Sequence, residues 1–187
     1  MMGAKKTMML DSHRELLRTL RTLRKTLEAQ GARGPDSLKK IGLDVHGVIT
    51  ETPEYLAVRA KSLVDAGHQV HIMTGTRVGP RLVDELAAYG FHKSLNYTHI
   101  FSITDHLIST GIPVDFRDDL PFADGLMWDA AKGEYATMVG LDCLWDDSPV
   151  YGHYMPADCW YFTYSAEKFE AQLSQVLHGG RPQVGRK

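Results

Sequence analysis

Lys40-Ile41-Gly42-Leu43-Asp44-Val45-His46-Gly47-Val48-Ile49-Thr50 is the stretch that decides the fold. Apolar residues run up to an aspartate, as in a buried strand, and a glycine three residues later supplies the sharp turn that follows. A carboxylate at the carboxyl end of a strand, beside a glycine turn, is where an open α/β sheet places its chemistry. A turn-forming aspartate gives the same local pattern. The stretch therefore gains meaning from what the rest of the chain brings to it.

Downstream, Thr52-Pro53-Glu54 opens a helix, with Thr52 as cap and Pro53 at the first position; it ends at Gly67. A second strand, His68–Met73, ends at Thr74-Gly75-Thr76-Arg77. A helix from Pro80 to Tyr89 is closed by Gly90, and a short strand lies near His99–Thr104. Residues 105–126 hold Gly111, Pro113, Pro121 and the acids Asp115, Asp118 and Asp119; they read as a helical turn and an irregular loop. A helix near Trp128–Val139 carries Lys132. Strand four, Leu141–Trp145, ends at Asp146-Asp147; strand five is Cys159–Thr163; a last helix spans Ala166–Leu177. Strands alternating with helices predict an α/β fold, a three-layer Rossmann-like parallel sheet of about five strands.

Upstream, a helix is expected from Asp11 or Ser12 to Gln30, with Glu15 as a capping-box partner of Ser12. Leu16, Leu20, Leu23 and Leu27 form one apolar stripe, and Arg14, Arg18, Arg21, Arg24 and Lys25 occupy the remainder. Such a helix either packs its stripe on the domain, pairs with a second copy in a homo-oligomer, or offers a basic surface to an anionic partner. Three segments result: a basic amphipathic helix and linker over 1–37, an α/β domain over 38–178, and a loose tail over 179–187.

The 187 residues carry a net charge of −2 and are 43% hydrophobic, so no global field draws the molecule to nucleic acid or to a membrane surface. No apolar run reaches the length of a membrane span. Arg and Lys interrupt every leucine pair of the first thirty residues, which leaves no secretory apolar core and gives a cytoplasmic expectation. Cys143 and Cys159 lack metal-ligand spacing and read as buried free thiols of a reducing compartment.

Three strand ends carry polar chemistry: Asp44 with His46, then Thr74, then Asp146 with Asp147; Lys132 precedes the third. A parallel sheet brings all its strand ends to one edge, so these residues converge at the switch point. In these motifs the chain resembles the haloacid dehalogenase superfamily, in its phosphatase-like branch, over residues 40–165. The first motif is Asp44-Val45-His46-Gly47-Val48-Ile49-Thr50, the second Ile72-Met73-Thr74-Gly75, the third Lys132, the fourth Asp146-Asp147.

The resemblance implies a phosphomonoester hydrolase in which Asp44 attacks phosphorus and forms an aspartyl-phosphate. It implies Mg²⁺ held by Asp44, Asp146, the His46 backbone carbonyl and Asp147, with Asp147 direct or through water. Thr74, with Gly75, would contact phosphoryl oxygens, and Lys132 would neutralise charge between nucleophile and phosphate. The family's usual second aspartate is here His46. Imidazole can protonate the leaving oxygen and then activate water near neutral pH. The same departure fits a slow phosphatase, a phosphotransferase, or an inactive member serving as a partner-binding protein.

The chain has no room for a large cap domain; residues 105–126 allow at most a small lid. Capless relatives act on phosphates exposed on large substrates or borrow a lid from a neighbouring subunit. The expected partners are therefore a phosphorylated small molecule or a phosphate-bearing polymer end, such as a nucleotide or nucleic-acid end, and no membrane.

Other residues carry less. His68 and His71, three apart in a strand, face opposite ways and do not share a ligand. His99, His106 and His153 have no partner spacing. Asp118-Asp119 reads as a solvated loop or a second cation site, and Arg77, just past Thr74, as a surface arginine or a residue that reaches a phosphate. Tyr151, Tyr154, Trp160, Tyr161 and Tyr164 read as core and rim rather than a base-stacking platform.

Overall fold

The computed structural model describes residues 38–179, together with Thr19 and Thr22. Of the helix expected over 11–30, only Thr19 and Thr22 are described, both helical and exposed; its leucine stripe and the tail beyond Gly179 lie outside the described residues.

Five parallel strands form one sheet: β1 (Lys40–Asp44), β2 (Gln69–Thr74), β3 (His99–Ser102), β6 (Cys143–Asp146) and β7 (Trp160–Thr163), in the order β3-β2-β1-β6-β7. Between them run α1 (Pro53–Asp65), α2 (Pro80–Ala88), α3 (Ile103–Ser109) and α4 (Gly125–Val139), and α5 (Ala166–His178) is the last described element. This is the expected α/β, Rossmann-like arrangement. Among the described residues no helix is long and apolar enough to cross a membrane.

Strand alternation sorts the core. Ile41 and Leu43, Val70 and Ile72, and Cys143 and Trp145 point to one face, where they meet Leu56, Leu63, Leu82, Leu86, Phe169 and Leu173 of α1, α2 and α5. Met73 and Leu144 point to the other, against Leu107 of α3 and Ala131, Tyr135 and Ala136 of α4. Each fully buried Leu, Ile or Phe on these faces contributes about 1.5–3 kcal/mol. Both cysteines are buried, and neither forms a disulfide among the described residues.

α4 differs from the other helices. Residues Ala131 to Thr137 are buried without a break, because the sheet, α3 and the turn Pro149–Tyr154 enclose the helix. The packing is close enough that a Cβ on Gly133 would come 2.2 Å from the Tyr154 carbonyl oxygen. The Asp124 side chain accepts from Leu126 N–H at the helix start, so α4 begins earlier than its sequence periodicity indicates. Gly140, in the left-handed conformation at φ 72°, ends it.

Two local readings change. The strand expected to reach Thr104 stops at Ser102, whose side chain accepts from Asp105 N–H and starts α3. The segment read as an irregular loop contains a hairpin, β4 (Asp115–Arg117) antiparallel to β5 (Leu120–Phe122). Asp118 and Asp119 form its two-residue turn at φ 50° and 63°, the left-handed pair that a tight hairpin requires.

Candidate functional site

β1 and β6 are neighbours, and Leu43 is paired with Trp145, so Asp44 and Asp146 lie side by side at the carboxyl edge. They flank the switch point: from β1 the chain winds outward through β2 and β3, then returns to β6 and β7 on the other side. Alternation aims both carboxylates at the face covered by α4. Lys132 reaches up from that helix, its Nζ donating at 2.5 Å to Asp44 Oδ1 and at 2.5 Å to Asp146 Oδ2. All three side chains are almost wholly buried.

Burial opposes charge on Lys132, but the two carboxylates outweigh it and hold the ammonium above its ordinary value. Burial pushes the Asp44 carboxyl up to about 6, with Lys132 pulling down and Asp146 pushing further up. At neutral pH Asp44 therefore still carries its charge. Asp146 also accepts from Ser148 N–H through Oδ1 at 3.0 Å, which fixes its plane. Beneath the ammonium lies the Tyr151 ring, 4.3 Å from Nζ to centroid.

Asp147 is exposed, yet one carboxylate oxygen each from Asp44, Asp146 and Asp147 fall within 4.8 Å of one another. Its closeness explains the glycine of the opening motif. Gly47 turns at φ 77°, and a Cβ there would lie 2.4 Å from the Asp147 carboxylate. The tight helical loop Val45–Ile49 is held by Thr50, which accepts from Gly47 N–H at 2.9 Å and donates its own N–H to Val45 O at 3.0 Å. His46 leaves this loop exposed, with Nε2 3.6 Å from Glu85 Oε1.

Thr74 ends β2, fully buried, on the strand next to β1. Its Oγ1 accepts from Thr76 N–H at 3.1 Å, which leaves the hydroxyl proton to a further acceptor. The Gly75 carbonyl accepts from Thr104 Oγ1, and a Cβ on Gly75 would press within 2.9 Å of the Trp128 ring. Asp44, Lys132 and Asp146 thus form one contact network with Asp147 alongside, and Thr74 at the end of β2, with Gly75 and His46 on the following loops, borders it.

A cleft of about 1210 Å³ opens beside this edge, with His46 and Gly75 in its wall. Arg77 and Arg81 flank it from the α2 side, and the β4–β5 hairpin and Trp128 complete it. Sequence reading missed Arg81 and Glu85. Both lie in the first turns of a helix that follows β2, which must start at the carboxyl edge, so a signal for them existed. Tyr151 and Trp128 had none: their hydrogen bond, Trp128 Nε1 donating to Tyr151 Oη at 3.1 Å, joins distant segments. Arg77 is exposed, as expected, and bonds Asp105 at 3.0 Å.

The histidines resolve individually. His68 Nδ1 accepts from Lys39 N–H, and His71 turns instead to Tyr135, so the two share nothing. His106, without a partner in the sequence reading, meets Glu134 at 2.9 Å. A scan against protein-family models, a search of curated proteins and a search of solved structures each returned no match to this chain.

Proposed function

We propose that this protein is a Mg²⁺-dependent phosphomonoester hydrolase of the haloacid dehalogenase type, acting through Asp44. One observation carries the reading: three aspartates and a buried lysine meet at the switch point of a parallel sheet, where phosphoryl transfer needs a nucleophile and compensating charge. The donors are all hard oxygens, a set that suits Mg²⁺. Asp44, Asp146 and Asp147 would hold the ion with the His46 backbone carbonyl. Bound there, it would offset charge on the transferring phosphoryl group.

In the first step an Asp44 oxygen bonds to phosphorus as the bond from phosphorus to the leaving oxygen breaks. The leaving oxygen takes a proton from the His46 imidazolium, which the Glu85 carboxylate is placed to orient. In the second step water bonds to the same phosphorus, His46 takes its proton, and Asp44 is released with inorganic phosphate. Lys132 holds Asp44 through one oxygen and keeps its charge, and the Thr74 hydroxyl donates to a phosphoryl oxygen.

A second reading has its own observation. Lys132 bonds both inner carboxylates, so part of their charge is offset without a cation. With His46 in place of an aspartate, that arrangement also suits a catalytically silent binding protein.

Hydrolysis of an aryl phosphate with and without Mg²⁺, in wild type, Asp44→Asn and His46→Asp, separates the two. The hydrolase reading expects metal-dependent turnover that falls by at least about 100-fold in Asp44→Asn. An inert wild type with an active His46→Asp variant would replace it by the second reading.

A further inference from the structure

We infer that the cleft beside Asp44 takes a planar aromatic ring, so that the ligand class is a mononucleotide: a small phosphate monoester whose ring stacks on Trp128 and Phe116. The inference rests on the phosphatase reading for the position of the phosphate, and on the cleft for the ring.

Trp128 is the first support. Its ring packs on Gly75, next to Thr74, and its Nε1–H is held by Tyr151, whose own ring lies under Lys132. A rigid aromatic surface therefore begins beside the phosphoryl position and is fixed to the same lysine. The hairpin is the second. Phe116 is cross-strand partner to Pro121, which puts both on one face; both border the cleft, and Phe116 is 47% exposed. Phe122 lies on the other face of the hairpin, covered by Arg117 at 4.9 Å, and also borders the cleft. An exposed phenylalanine on a three-residue strand adds little to the stability of the core, whereas aromatic stacking against a base contributes about 1–3 kcal/mol.

Charge narrows the class. The cleft carries Arg77 and Arg81 against Glu85, Asp118 and Asp119. Arg77 is engaged by Asp105, while Arg81 has no ion-pair partner among the described residues. A polynucleotide, charged along its length, would meet the hairpin carboxylates without a basic track to follow. A ligand with its charge at one end avoids them, and hydroxyl or amino groups on its other end would find acceptors there. At about 1210 Å³ the cleft has room for a ring as well as a sugar phosphate, since pockets for drug-sized ligands span about 300–1,000 Å³.

The test is calorimetric titration of the full-length protein in EDTA, where binding is read without turnover, using adenosine 5′-monophosphate, ribose 5-phosphate, adenosine and a 5′-phosphorylated oligonucleotide. The mononucleotide should bind at least about tenfold more tightly than ribose 5-phosphate, and adenosine alone should bind measurably. Phe116→Ala, on the exposed hairpin, and Trp128→Leu should each remove that preference; Val58→Ala, on the far surface of α1, should keep it. Equal affinity for the two phosphates, or binding of neither, overturns the inference. Tighter, steeply salt-dependent binding of the oligonucleotide overturns it in favour of a polymer end. The phosphatase reading fails separately: a mononucleotide preference without Asp44-dependent hydrolysis leaves a ring site on a binding protein.

Discussion

α4 presents two buried polar side chains to the same face of the sheet, and they meet opposite fates. Lys132 reaches the strand ends and stays charged between Asp44 and Asp146. Tyr135, three residues on, reaches mid-strand and bonds His71, which is 1% exposed and stacked on His99 at 4.5 Å. There burial, with the neighbouring His99 and Lys40 charges, drives the imidazole down to about 3 and keeps it neutral. The helix and the depth are shared. What differs is counter-charge within reach: two carboxylates at the edge, and among the described residues none acting on His71 at mid-sheet. Burial alone neutralises a group, and burial with partners concentrates charge where chemistry can use it.

The sharpest way to break the comparison is Lys132→Met, which keeps volume and removes the counter-charge. Two adjacent carboxylates are then buried without their partner, and the fold should lose about 3–5 kcal/mol in urea unfolding near neutral pH. Lowering the pH should restore part of the loss, since protonating one carboxyl relieves the repulsion. A variant as stable as wild type would mean that water already compensates the pair. Gly47→Ala probes the same edge from its other side. A left-handed backbone and a Cβ 2.4 Å from Asp147 should cost about 1–3 kcal/mol and displace the third carboxylate. On the proposed reading Mg²⁺ raises the Tm of wild type and should raise it less in this variant; an equal rise would remove Asp147 from the proposed ligand set.

The charged edge was the legible part of the sequence. Asp44, Thr74 and Asp146 each end an apolar run, and Lys132 sits in a helix just before β6; strand ends and chain order suffice to bring them together. The mid-sheet cluster was not legible, because His71 and Tyr135 are 64 residues apart and neither spacing nor composition links them. The hairpin was hidden for a local reason. Its strands have three residues each, one contains Pro121, and its left-handed turn positions hold aspartates rather than the Asn-Gly that signals such turns. The start of α3 was available in Ser102 and Asp105, a cap and its acidic partner three residues later, but the preceding strand pattern masked it.

The neutral site makes a pH prediction whose sign follows from His71. Its folded value, about 3, lies below the unfolded value of 6.5. Above 6.5 both states are neutral and nothing is lost; between 6.5 and 3 the unfolded chain binds a proton that the folded protein excludes, so stability falls as pH falls. The contribution is up to about 1.4 kcal/mol per pH unit. Urea unfolding of wild type and His71→Gln between pH 7.5 and 5 should show the variant's curve flatter by that amount; equal slopes would mean His71 accepts its proton without unfolding.

Tyr135→Phe should have the smallest effect. His71 Nε2–H donates to the Gln69 side-chain oxygen at 3.4 Å, which leaves Nδ1 as the acceptor of the Tyr135 hydroxyl at 2.7 Å. Removing that hydroxyl deprives one buried acceptor of its donor and should cost about 1–3 kcal/mol, at the lower end because a neutral nitrogen is involved. The ring's stack on Phe101, at 4.3 Å between centroids, is untouched. The loss should be the same at pH 7.5 and at pH 9, since neither partner titrates there; the Tyr135 hydroxyl itself is pushed up to about 12 by burial. The proposed hydrolytic activity should stay at the wild-type level, because Tyr135 stands away from the strand ends. A large fall in turnover with stability preserved would show that the two regions of α4 are coupled, and that the neutral cluster helps to set the position of Lys132.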